Sequence, residues 1–530
     1  HGYHAVATYD RQHFFRVPTR YDGERLTITH TPTRDVVYYS YFAPYSHERH
    51  QDLIARCLAA PGVRHELLGH TVDGRDLDLL TIGEPGDGRK VCWITARQHP
   101  GETMAEWLME GLLARLIDPE SLMESEGALT LDGGLIAAVN APAPKGATII
   151  DCHGKCLAPG IVDIGVKVGE PGERHKESFR SAALAAAAGG VTTIVTRPDT
   201  NPSIDTPEAL EFVTRRAAEA SPVRIRHMAA LTKGRQGREM TEIGFLLDAG
   251  AIAFTDCDHV VADTKALTRA LTYARSLGAL VIGHPQDPGL SSGAAATSGK
   301  FASLRGLPAV SPMAERMGLD RDLSLIEMTG VRYHFDQITT ARALPPLERA
   351  KRNGHDVTAG TSIHHLTLNE FDVGDYRTFF KVKPPLRSED DRLAMVEAVG
   401  SGLIDIISSM HTPQDEESKR LPYEEAAAGA VALETFLPAA LRLYHAGHLT
   451  LAQLFRAMAL NPAKRLGLPQ GRLAVGAPAD LVLFNPDIPF VLDRFTLKSK
   501  SKNTPFDGQR MEGKVLATFV GGTQVFTAEG

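Results

Sequence analysis

Eight short apolar runs, each followed by a stretch that suits a helix, constrain this chain more than any other feature. They fall at residues 162–168, 191–195, 225–231, 251–255, 280–284, 331–335, 357–359 and 404–410. The first is bounded by Pro159 on one side and by Pro171 and Gly172 on the other. That punctuation predicts a buried strand ending in a tight loop. Residues 178–190 then read as an Ala-rich helix stopped by Gly189 and Gly190, and the second apolar run follows at once. Parallel strands cannot be joined by tight turns, so each needs a crossover, usually a helix. Eight such units predict an α/β chain built on a (β/α)8 TIM-type barrel, with its functional groups at the C-terminal strand ends.

Bulk properties narrow the partners. With 530 residues the chain is long enough for several domains. Hydrophobic residues make up 43% and charged residues 23%, as in ordinary globular proteins. A net charge of −7 with scattered Lys and Arg predicts neither a nucleic-acid nor a membrane partner. No apolar run approaches the roughly 18–20 residues of a spanning helix, and the first residues do not read as a secretory signal. Five cysteines, an odd and sparse number, suit a reducing cytoplasm.

Residues 158–172 read A-P-G-I-V-D-I-G-V-K-V-G-E-P-G. The stretch resembles the first barrel strand of dihydroorotases and other cyclic amidohydrolases, P-G-x-x-D-x-H-x-H-x-R-E-P-G. Asp163, Glu170, Pro171 and Gly172 match that pattern. Gly165 and Lys167 stand where the two metal-binding histidines belong, and Gly169 where the arginine belongs. The resemblance extends over about residues 122–522. It implies a barrel at 159–460 and a small flanking β-sandwich made from both ends, 122–158 and 461–522. Residues 126–139 alternate around Asp132-Gly133-Gly134, which predicts a hairpin in the first of these ends.

The other strand ends extend the mismatch. R-P-D-T at 197–200 resembles the family's M-P-N-T, with Asp199 in place of a substrate-holding asparagine. In F-T-D-C-D at 254–258, Asp256 matches a carboxylate that some members use to bridge two metals, and His284 at the end of the fifth run matches a ligand. Gln337 occupies a histidine ligand's position, and Met410 that of the aspartate that serves as ligand and general base. Lys383 replaces a substrate-binding asparagine. By this resemblance four of six ligand positions are lost (Gly165, Lys167, Gln337, Met410) and Asp256 and His284 remain. The loss of even one ligand usually costs metal affinity heavily, so zinc is not expected in the barrel. An ion pair between Lys167 and Asp256 is expected instead. His334, His364, His365 and His411 are the candidates for a relocated metal site.

The N-terminal part reads differently. R-V-P-T-R-Y-D-G at 16–23, Y-F-A-P-Y-S at 41–46, D-G-R-D-L-D-L-L at 73–80 and H-P-G-E at 99–102 resemble the cytosolic type of M14 zinc carboxypeptidases. This implies a β domain at 1–75 and a partial α/β segment at 76–121, with a helix running from His99 to about residue 117. His99 and Glu102, three apart after a strand, can reach one zinc ion. The resemblance stops near residue 119, before the family's third ligand and catalytic glutamate.

Together these features predict a dihydroorotase-like protein that has lost catalysis. Non-catalytic homologues in that family assemble or stabilise aspartate carbamoyltransferase, so the resemblance implies an oligomeric partner role in pyrimidine biosynthesis. Two alternatives stay open: an active metal-dependent cyclic-amide hydrolase with altered ligands, and a zinc-binding carboxypeptidase remnant.

Overall fold

The computed structural model describes residues 4–9, 11, 14–58, 63–82, 114–141, 144, 146–150, 152 and 154–528. It forms two compact units, 1–114 and 115–530. In the first unit Val6–Thr8 lies between Phe15–Arg16 and Tyr38–Ser40 in a three-stranded sheet. Its described residues also include two hairpins, Thr19–Tyr21 with Leu26–Ile28 and Val63–His70 with Asp76–Ile82, and the helix His47–Leu58. Among the described residues its buried apolar cluster is Ala5, Ala7 and Val17. His99 and Glu102 lie outside the described residues.

In the second unit the predicted strands form a closed parallel ring. Ile161–Val166, Val191–Thr196 and Arg224–His227 pair in order. Leu280–Gly283, Arg332–Phe335, Val357–Ser362 and Ile406–Ser408 pair in a second series. The fourth run supplies only Phe254, which bridges Ala229 on one side and Val281 on the other and so joins the two series. The ring closes where the Lys167 amide donates to the His411 carbonyl at 2.8 Å. Asp163 reinforces the closure by accepting from the Ser409 amide at 3.0 Å.

Every residue of the first two strands is buried, which is why they read as continuous apolar runs rather than alternating ones. Inside the ring, Ile164, Val195, Met228, Ala253, Leu280, Ile282 and Ile406 form one cluster drawn from six of the eight runs. The crossover helices begin at side-chain caps. Ser178 starts Phe179–Ala188, Thr206 starts Pro207–Ala220, and Asp263 starts Thr264–Ser276. Such caps are each worth about 1 kcal/mol. The stop at Gly189 is steric: a Cβ there would collide with the Leu433 carbonyl.

The flanking layer is a six-stranded sheet in the order Thr523–Thr527, Arg510–Val520, Leu481–Val491, Cys156–Pro159, Ala114–Asp118, Met123–Gly127. The predicted hairpin is present as Leu129–Asp132 and Leu135–Val139, turned by Gly133 and Gly134 at φ 55° and 82°. Its Ile136 packs with Leu116, Leu157, Leu481 and Phe519 of the sheet. The segment Ala114–Asp118 corrects the sequence reading, which placed the end of a helix there. Leu116 and Ile117 are both buried, in different clusters, so successive side chains serve opposite faces as in a strand. Arg224 ties the ring to this sheet through a two-pronged pair with Asp480, at 2.7 and 3.1 Å.

Candidate functional site

The site is assembled where strands one and eight meet. Asp163 is fully buried and accepts from Ser409 Oγ and from the backbone amides of Ser409 and Gly165. Burial raises its carboxyl pKa, against those donors. The chain then turns outward at Met410, whose φ is 47°. This turn puts the Met410 thioether over Gly165, so that a Cβ at 165 would collide with Sδ; the Met410 N and Cα lie 3.4 Å from the same point. Gly169 is closed in the same way by the Glu173 carbonyl. His411 does not face the site. Its Nδ1 accepts from the Ala432 amide at 3.1 Å, and its Nε2 lies 3.5 Å from Glu177.

Lys167 points into a cavity of about 220 Å³ at the C-terminal end of the ring, also lined by Arg197, Asp199, Asp258, Asp336, Gln337, His364, Lys383 and Met410. Its Nζ lies 3.5 Å from both Glu173 and Asp199. Asp199 also accepts from Arg197 at 3.0 Å. Lys383 donates to Asp258 at 3.0 Å. Burial opposes ionisation of Asp258, but Arg197 and then Lys383 hold its carboxyl far below the usual range. Gln337 donates to the Lys383 carbonyl at 3.2 Å. His284 Nδ1 lies 3.2 Å from Asp336, and its buried Nε2 has no hydrogen-bond partner.

Two sequence expectations are corrected. Asp256 is not in the site: it accepts from the Leu231 and Thr232 amides at 3.0 and 2.9 Å and from Thr232 Oγ1. Lys167 accordingly pairs with Asp199 and Glu173 rather than with Asp256. The residue turned to the ring's interior is its neighbour Cys257, beside Gly165, Arg197, Asp336 and Met410. A left-handed φ of 58° at Cys257 breaks the strand's alternation, which is the physical reason. Burial, and then Asp199, push this thiol up to about 12, so it stays protonated at neutral pH.

The four candidate histidines belong to no metal-holding group among the described residues. His334 is bound to Thr358 Oγ1 at 2.8 Å, and His365 to Ser362 Oγ at 2.7 Å and the Pro384 carbonyl at 3.1 Å. Burial lowers both to about 3 and His364 to about 4, so all three are neutral at pH 7. Of these, His364 lines the cavity, with Nε2 buried and unpartnered.

These donors do not match a two-metal centre. Gly165 offers no side-chain atom, Lys167 is an ion-paired cation, and the Gln337 amide is spent on a carbonyl. Met410 is a neutral thioether and Cys257 a protonated thiol. Among the described residues no group of three or more His, Cys, Asp or Glu side chains is placed to hold a metal ion. What the arrangement does offer is a set of fixed cations and carboxylates in one cavity. The sequence reading missed Arg197, Arg235, Asp258 and Asp336 as members of it. For Arg197, Asp258 and Asp336 the signal was present as charges within R-P-D, D-C-D and F-D-Q at three strand ends; Arg235 lies in the loop K-G-R-Q at 233–236, outside them.

Comparison with known proteins agrees with this geometry in its frame. Residues 154–343 match the Dihydro-orotase-like family and residues 428–526 the Amidohydrolase family. Residues 1–42 match the cytosolic carboxypeptidase N-terminal domain. A dihydroorotase of Wolbachia sp. subsp. Drosophila simulans is 37% identical over 418 residues, 78% of this chain and 94% of that protein. A dihydroorotase-like protein of Pseudomonas putida is 39% identical over 412 residues, 77% of this chain and 97% of that protein. Among solved structures, an L-hydantoinase (dihydropyrimidinase) from Arthrobacter aurescens superposes with a TM-score of 0.70 at 26% identity, over 78% of this chain and 95% of its own. A D-hydantoinase at 23% identity and a TM-score of 0.67 has the same fold. These likenesses imply the TIM-barrel fold for the ring. No helix among the described residues is long and apolar enough to cross a membrane.

Proposed function

The chain belongs to the dihydroorotase-like amidohydrolase family, and we propose that it is a non-catalytic member of it, acting as a partner of aspartate carbamoyltransferase. One observation carries the reading. The thioether of Met410 fills the space above Gly165, at the meeting point of strands one and eight where the family's first histidine and its catalytic aspartate would stand. Hydrolysis of a cyclic amide needs an activated water and a group to take its proton. Methionine takes no proton, Cys257 stays protonated, and His411 is committed to Glu177 and the Ala432 amide.

Loss of chemistry with retention of the fold favours a role carried by the folded surface. The chain keeps 37% identity over 418 residues with a dihydroorotase while several of its site side chains are replaced. The oligomer with the transferase rests on the family resemblance, and the cytoplasm is the expected setting. A second reading has its own support: the His284–Asp336 pair, with Nε2 free, has the form of a general base and its orienting carboxylate. On that reading the chain is a cyclic-amide hydrolase with an altered site.

The test takes the purified full chain, measures bound metal, and assays dihydroorotate hydrolysis with and without added zinc. It then mixes the chain with the transferase catalytic subunit from the same organism and follows complex formation by analytical ultracentrifugation. The expected result is no hydrolysis above background and a stable complex. Hydrolysis abolished by His284→Ala replaces this reading with the second one. Absence of both hydrolysis and a complex overturns the partner role.

A further inference from the structure

The cavity at the barrel mouth has more cationic donors than it can satisfy. Lys167, Arg197, Arg235 and Lys383 line it with Asp199, Asp258 and Asp336, and Lys167 is held by Asp199 and Glu173, so the unmet donors are those of the two guanidinium groups. Arg197 Nε and Arg235 Nε and Nη1 are buried with no hydrogen-bond partner. The acid beside Arg235, Asp258, is 3.9 Å from Nη1, beyond hydrogen-bond reach. His364, 1% exposed, adds a fourth unpartnered atom, Nε2, in the same cavity. Buried polar groups in folded proteins are nearly always satisfied, and each exception calls for an acceptor or a water.

The backbone is strained at the same place. Arg235 and Met410 hold left-handed φ values of 55° and 47°, and Cys257, next to Asp258, holds 58°. Residues in this region cost about 1–3 kcal/mol each and gather at ligand sites. Arg235 is presented from a short loop whose Gly234 amide is anchored on Asp205 at 2.7 Å. The cavity of about 220 Å³ has room for roughly seven waters at ~30 Å³ each, or one compact metabolite.

We propose that the barrel mouth is a metal-free binding site for a small oxyanion, a carboxylate or a phosphate, gripped by Arg197, Arg235 and Lys383. A guanidinium presents two parallel donors that match either oxyanion. Lys167 sits behind them, already neutralised by Asp199 and Glu173, and supplies the floor of the site rather than a direct grip. Asp199 Oδ1 and His364 Nε2 are also buried and unpartnered among the lining residues. The proposal stands apart from the partner role, since an anion can bind whether or not a transferase does.

The experiment uses the full chain stripped of metal on a chelating resin, because soluble chelators are themselves polycarboxylates. Inorganic phosphate and succinate are titrated separately by calorimetry at fixed ionic strength, with chloride as the control. The expected result is that at least one binds with Kd of about 1 mM or tighter. Arg235→Gln and Lys383→Met should each weaken binding about tenfold or more, while Arg238→Gln, an exposed residue on the neighbouring groove, should not. Binding of phosphate alone or succinate alone identifies the oxyanion's source, and either supports the site. No binding beyond chloride overturns the proposal, as does binding equal to wild type in both Arg235→Gln and Lys383→Met, with folding of each checked by circular dichroism.

Discussion

The Met410 thioether occupies the volume that a side chain on Gly165 would need, and the Met410 N and Cα stand 3.4 Å from the point where that side chain would begin. The two positions come from opposite ends of the ring, yet each explains the other. A glycine at 165 leaves room that Met410 fills, and a methionine at 410 excludes any larger group at 165.

This coupling is measurable. Gly165→Ala should cost about 1–3 kcal/mol, the range for overpacking a dense core. In a Met410→Ala background the same change should cost less, because Sδ is gone. A double-mutant cycle by urea denaturation reads the coupling, expected at roughly 0.5–3 kcal/mol for residues in contact. Strictly additive effects would contradict the packing described.

The second expectation concerns Lys167. Burial opposes ionisation of Glu173, but Lys176 and Lys167 more than offset it and hold its carboxyl below the usual range. A depressed carboxyl stabilises the fold above its unfolded pKa of about 4.3, and that contribution is lost as pH falls through the folded value. Lys167→Met should therefore cost about 1–3 kcal/mol at pH 7 and progressively less below about pH 4. Urea midpoints at pH 3.5 and 7 decide it; an equal loss at both would assign Lys167 a packing role alone.

The third expectation has the opposite sign. Burial pushes the Glu434 carboxyl up to about 7, against the amides of Lys498 and Ser499 that donate to it at 2.6 and 3.1 Å. Between about pH 4.3 and 7 the folded chain holds a proton that the unfolded chain has released. Stability from this group is thus complete below about pH 4.3 and falls as pH rises to 7. Glu434→Gln keeps an acceptor for both amides and removes the titration. Its stability should exceed the wild type's at pH 8 and match it near pH 4.5, read as melting temperature against pH. A variant curve parallel to the wild type would show that Glu434 does not titrate in this range.

The ring was largely legible in the sequence because burial on both faces leaves an unmistakable trace. Parallel strands covered by helices must be apolar throughout, and runs such as 162–168 and 191–195 carry that composition with their glycine and proline stops. The Asp132-Gly133-Gly134 hairpin was legible because its turn requires φ above zero at both glycines. Ala114–Asp118 was not, since five residues fit a helix end or a strand equally well until the partner strand Cys156–Pro159 is known.

At the site, residue identity alone states which chemical groups are present: no imidazole at 165, 167 or 337 and no carboxylate at 410. Those absences need no coordinates, because a missing atom is missing in every fold. Which of the remaining groups face one another follows from the folded arrangement. Asp256 and Cys257 are adjacent in the chain, and the left-handed turn at Cys257 sends the thiol inward and leaves the carboxylate on Thr232. Lys167 found Asp199 rather than Asp256 because charges act over a few ångströms in space, whatever their separation in sequence.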